Sequence, residues 1–125
     1  MVVSDVTASA WSPQDALVLL CVGMSDGSLR QVIATYDAHH HDVLPETMFV
    51  DSLSALMGSG LVAVDGDGFG LTASGLRVFL ARSGGMFEIA RSVLPSLATT
   101  PRVAADYVLP AGQYDLAVKD YLRAF

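Results

Sequence analysis

Cysteine occurs once in this sequence, so no disulfide can form within the chain. Cys21 lies inside the run ALVLLCV, the setting of a small buried hydrophobe rather than of a nucleophile. Long apolar runs are missing as well. The run that opens at Ala16 ends at Gly23, short of the ~20 residues needed to span a bilayer. The N-terminal MVVSDVTASAWS lacks the basic segment of a secretory signal. The expectation is a cytoplasmic protein with no membrane partner.

Bases are scarce: seven Lys and Arg face 13 Asp and Glu, for a net charge of −6, and the imbalance is uneven. Residues 1–44 carry five acids against Arg30, and residues 45–71 carry four acids and no base. Residues 72–125 carry four acids against six bases. A polyanion would be repelled by the first two segments and attracted only by the last.

The signatures of common catalytic and cofactor sites are absent too. No G-x-S-x-G, H-E-x-x-H or Cys/His arrangement occurs, and GDGFG lacks the G-x-G-x-x-G spacing of a dinucleotide fingerprint. DGDG resembles part of a calcium loop, but the next oxygen position is Phe69 and the closing glutamate is missing. In HHHD, from His39 to Asp42, consecutive imidazoles on a helix point ~100° apart and cannot all close on one ion, although His39 and Asp42 at i, i+3 could be part of a site. The expectation is a protein that is not an enzyme and uses neither metal nor cofactor.

What the sequence does contain is material for a core: 52% apolar and 16% charged residues in 125 positions, enough for one compact domain. Ser12, Pro13 and Asp15 form a helix start, and Leu17, Leu20, Cys21 and Met24 follow at helical spacing. Leu29, Val32, Ile33 and Tyr36 repeat the pattern after SDGS. A third helix runs from Pro45 to about Met57, with Phe49, Val50, Leu53, Leu56 and Met57 on one face. Its opposite face, Thr47, Asp51, Ser54, Ala55 and Gly58 flanked by Met48, is small, slightly acidic and expected to be exposed. LVAV and FGL around DGDG read as a hairpin, and Thr72 caps a fourth helix that ends by Gly84. Beyond it come helical pieces broken at Pro95, Pro101 and Pro110, then a last helix with the stripe Tyr114, Ala117, Val118, Tyr121 and Phe125.

Three helices, a hairpin and a further helix, with LSALMGSGLVAV followed by FGLTASGLRVF, resemble the winged helix-turn-helix of MarR-like and PadR-like bacterial transcription regulators. Gly60, Leu61 and Val62 match the end of their recognition helix, and Leu71, Thr72 and Gly75 the opening of the helix after the wing. The resemblance covers about residues 12–83 and implies a mainly α fold with a small β-hairpin. It also implies that the third helix enters the major groove while the wing tip grips phosphate. By position the DNA readers would be Thr47, Asp51, Ser54 and Ala55, and the wing tip Asp65 and Asp67.

None of those residues is basic, and a wing tipped by aspartates repels a phosphate backbone. The expectation is therefore a winged-helix domain over 1–84 with a helical extension over 85–125. Its role would be to bind protein through Thr47, Met48, Asp51, Ser54, Ala55, Asp65 and Asp67. The alternative is a DNA-binding regulator with atypical docking through Arg30, Arg77 and Arg82, in a basic patch shared with Arg91 and Arg102. In the resembling families helices outside the winged domain make a dimer, and Tyr114, Val118, Tyr121 and Phe125 have the spacing for it. The other use of that stripe is to fold back on the same chain.

Overall fold

The computed structural model describes residues 11–40, 43–66, 68–85 and 88–123. Mainly helical, it carries one small antiparallel sheet. Ser12 opens helix α1, Pro13–Met24, through a reciprocal capping box with Asp15. Asp15 N–H donates to Ser12 Oγ (3.2 Å), and Ser12 N–H donates to Asp15 Oδ2 (3.1 Å). Every residue from Asp15 to Val22 is buried. The sequence predicts a buried first helix, and α1 is enclosed all round, with Met24 at its end only half-buried. The reason lies in its neighbours, because elements from both halves of the chain pack on α1.

Helix α2, Leu29–His40, follows a turn in which Gly27 adopts φ +89°. Leu29, Val32, Ile33 and Tyr36 are buried, as their spacing predicts. Helix α3, Glu46–Gly58, begins after Pro45 and closes through Gly60 (φ +77°), where Leu61 N–H reaches Leu56 O at 2.9 Å. Strands β1, Val62–Asp65, and β2, Gly68–Leu71, pair antiparallel with Val62 opposite Leu71 and Asp65 opposite Gly68. The hairpin is also stitched to the α1–α2 turn, because Phe69 N–H donates to Gly27 O (2.8 Å) and Ser28 bridges Gly68.

Helix α4, Ala73–Leu80, starts at Thr72, whose Oγ1 accepts from Gly75 N–H (3.0 Å) and donates to Gly60 O (2.6 Å). Thr72 N–H donates to Leu61 O (3.1 Å), and a Cβ on Gly75 would lie 1.9 Å from that oxygen. The two motifs that carry the family resemblance thus clasp each other and close the base of the hairpin.

Two short helices, α5 at Ile89–Ser92 and α6 at Leu94–Leu97, pack against α1. Helix α7, Gln113–Arg123, lies along α2. Val93, Leu97, Leu109, Tyr114, Ala117 and Tyr121 therefore join the same buried cluster as Leu19, Leu20, Ile33, Phe49 and Leu53. Among the described residues no helix is long and apolar enough to cross a membrane.

Enclosure of α1 has a chemical signature at Cys21. Burial pushes its thiol up to about 12. Ellman's reagent is expected to leave Cys21 untouched in the native protein and to titrate it fully in guanidinium chloride. Rapid native reaction would mean that α1 is not sealed.

Candidate interaction surface

The outward face of α3 is the place to look for a recognition surface, and the chain covers half of it. Glu46, Thr47, Met48 and Asp51, from its first half, are exposed. Ser54 and Ala55, expected on the same open face, are 9% and 0% exposed, which corrects the sequence-based expectation. The segment 101–109, without regular secondary structure, crosses the C-terminal half of α3 at Ser54 and Gly58, and Ala55 belongs to the core cluster.

Three sets of contacts hold this arm. Ala105 N–H donates to Ser54 O (2.9 Å). Ser59 Oγ donates to Pro101 O (3.0 Å) and accepts from Val103 N–H (2.9 Å). Arg102 reaches the buried Asp15 through Nε (3.0 Å) and a terminal nitrogen (3.2 Å). Asp15 also accepts from Ser52 Oγ (2.8 Å), so one carboxylate joins the start of α1, the middle of α3 and the arm. Gly58 lets the arm lie this close, because a Cβ there would stand 2.0 Å from Val103 O.

Beyond Ala105 the arm ends in an aromatic relay. The Tyr107 ring meets Phe69 edge-on (6.2 Å), Phe69 meets Phe49 (5.8 Å), and Phe49 meets Tyr114 (5.7 Å). Tyr114 donates its hydroxyl to Leu44 O. Burial, then the neighbouring charge of Glu46 and then Tyr36 push that phenol well above the usual tyrosine range.

Two concavities flank the Tyr107–Val108 ridge. One, of about 400 Å³, lies between α3 and the arm and is lined by Glu46, Thr47, Val50, Asp51, Tyr107, Val108 and Leu109. The other, of about 240 Å³, lies against the hairpin and includes Val64, Gly66, Phe69 and Pro110. Val108 is 83% exposed at the crest and Val64 50% exposed beside it. The surface between α3 and the hairpin is thus an apolar ridge with the carboxylates of Glu46 and Asp51 on its α3 side. Asp67 and Phe125 lie outside the described residues, as do His41 and Asp42 of the HHHD run, and only the backbone of Asp65 is described.

Two of the arginines that the DNA alternative invokes have partners within the chain. Arg102 is bound to Asp15. Arg82 stacks over Phe79 at 3.9 Å and donates to Phe79 O (3.0 Å). Arg30, Arg77 and Arg91 are exposed, on three different helices.

The last helix turns its stripe inward. Tyr114 and Tyr121 are buried within the chain, Val118 is half-buried, and Tyr121 donates its hydroxyl to Asp37 of α2. The described part of the stripe proposed for a dimer, Tyr114, Val118 and Tyr121, is thus packed against the chain's own core. Among the described residues no three His, Cys, Asp or Glu side chains are grouped to hold a metal. Comparison with protein-family models, with curated proteins and with solved structures gives no match for this chain.

Sequence reasoning missed the arm, and with it Ser59, Tyr107 and Val108, and it put Arg102 in a basic patch rather than on Asp15. A signal was present in the small residues Ser54, Ala55 and Gly58 of α3 and Ser59 at its C-cap. Small side chains on a helix face let another backbone approach.

Two substitutions test this arrangement. Asp15→Ala leaves Arg102 without its partner and removes the capping box, and is expected to cost about 3 kcal/mol or more in urea unfolding. Gly58→Ala is expected to keep α3 helical while lifting the arm, seen as faster amide exchange at Val103 and Ala105. Unchanged exchange would show that the arm does not depend on that close approach.

Proposed function

We propose that this chain is a winged-helix interaction module that binds protein rather than nucleic acid, and that it is not a catalyst. The order α1, α2, α3, β1, β2, α4, with the α1–α2 turn bridged to the hairpin, supports the winged-helix assignment. One observation carries the functional half: the arm lies on the face of α3 that would have to enter a DNA groove, bonded there from Ala105 N–H to Ser54 O.

What stays open on that side has the wrong chemistry for DNA. Glu46 and Asp51 offer only acceptors, and Val50, Val64 and Val108 are apolar. Phosphates would be repelled, and no base on α3 or the hairpin offsets that. For a protein partner the same surface is suitable. An apolar centre provides the desolvated contact and a polar rim sets orientation. Carboxylates favour a partner that brings lysines or arginines, and the charge pairs raise the encounter rate.

Two titrations test the proposal. Labelled mixed-sequence duplex DNA is expected to show no anisotropy change even at low salt, whereas binding that weakens steeply with salt would return the DNA-regulator assignment. A basic amphipathic helical peptide, alternating leucine and lysine faces, is expected to shift the amides of Thr47, Val50, Asp51 and Val108. The double variant Glu46→Lys, Asp51→Lys should weaken it about tenfold. An unchanged affinity would remove the groove from the function.

A further inference from the structure

We infer that the cleft between α4 and the turn after α6 is a binding site for a tetrahedral oxyanion, of the inorganic phosphate or phosphate-monoester class. This cleft is distinct from the groove beside α3. It has a volume of about 270 Å³ and is lined by Ser74, Arg77, Val78, Ser96, Thr99 and Thr100.

The polarity of the cleft is one-sided. On the α6 side the carbonyl oxygens are occupied: Ser96 O accepts from Thr99 Oγ1 (2.7 Å), Leu97 O from Thr100 N–H (2.9 Å), and Thr100 O from Trp11 Nε1 (2.7 Å). By contrast, the Arg77 guanidinium and the hydroxyls of Ser74, Ser96 and Thr100 have no hydrogen-bond or ion-pair partner among the described residues. The cleft therefore offers a guanidinium and three hydroxyls that are free to donate to whatever enters it.

The surrounding charge has the same sign. From Gly68 to Ala104 the chain carries Arg77, Arg82, Arg91 and Arg102 against Glu88 alone, in a protein whose net charge is −6. With Arg102 neutralised by Asp15, Arg77 is the arginine that lines the cleft. A guanidinium fork pairs with two oxygens of a phosphate at once, and three hydroxyl donors suit the remaining oxygens. A carboxylate has only two oxygens and would leave donors unmatched.

The cleft is also held in shape. Val78 is buried at its floor and Leu97 anchors the opposite wall, while the Trp11 bond to Thr100 O fixes the turn that carries the hydroxyls. A ligand there would not have to order the wall first, which lowers the cost of binding.

Calorimetry and amide-shift mapping with inorganic phosphate, and separately with glycerol phosphate, test the site. Saturable binding with shifts at Ser74, Arg77, Ser96 and Thr100 is expected, weakened about tenfold or more by Arg77→Ala. Arg91→Ala, an exposed arginine outside the cleft, should leave it unchanged. Arg77 is itself exposed, so the variant keeps its fold, and its thermal midpoint and amide spectrum check this. Binding of inorganic phosphate alone would assign the free ion, and equal binding of both would assign a phosphate group carried by a larger molecule. Absence of saturable binding, equal weakening by Arg91→Ala, or binding of duplex DNA without either small phosphate would overturn the site.

Discussion

The carboxylate of Asp15, 2% exposed, is the point through which the rest of the structure is tied together. An ion taken out of water loses several kcal/mol of solvation unless each oxygen finds partners. Asp15 has them on every side: the Ser12 backbone, the Ser52 hydroxyl and two nitrogens of Arg102. None of these partners can shift alone without leaving charge unmatched. Where α1 begins, which turn of α3 faces it and how far the arm reaches are therefore set together. The arm is consequently a fixed part of the surface, and α3 acquires its mixed apolar and acidic character from it.

Much of this fold could be read in advance because its signals are local. Ser12 and Thr72 announce helix starts through side chains that bond three residues away, and DGDG between two β-rich runs announces a hairpin. The Gly60-Leu61 and Leu71-Thr72-x-x-Gly75 motifs turn out to be structural, since Thr72 holds the carbonyls of both Gly60 and Leu61. What could not be read is where an amphipathic surface finds its cover. Tyr114, Val118 and Tyr121 have the same spacing whether they meet a second chain or α2. The small residues of α3 look like an open face until a backbone is placed on them. Residues 101–109 have no periodicity to detect, because an extended segment bonded on one edge answers to the surface it lies on.

Charge is divided as sharply as hydrophobicity. Acids gather along the first half of the sequence and leave α3 and the hairpin without a base. The α4–α6 side carries Arg77, Arg82 and Arg91, and Arg77 lines a cleft in which the hydroxyls of Ser74, Ser96 and Thr100 have no hydrogen-bond partner among the described residues. Under the two proposals above, the acidic groove and the cleft would take ligands of opposite sign, so occupancy of either need not exclude the other.

The enclosure of α1 also bears on how the chain comes into being. Trp11 closes on Thr100 and Asp15 on Arg102, across 89 and 87 residues of chain. At ~5–20 residues per second, synthesis takes roughly 4–18 s to cover that span, so the most apolar helix in the protein is made long before its walls. During translation ALVLLCV is a segment that a chaperone would recognise, and folding of the completed domain waits on its last third. Contacts of such sequence separation form slowly, because the closure entropy of the loop is lost before the contact is gained. The arm that crosses α3 thus arrives late, and α7, made after it, brings Tyr114, Ala117 and Tyr121 to complete the core.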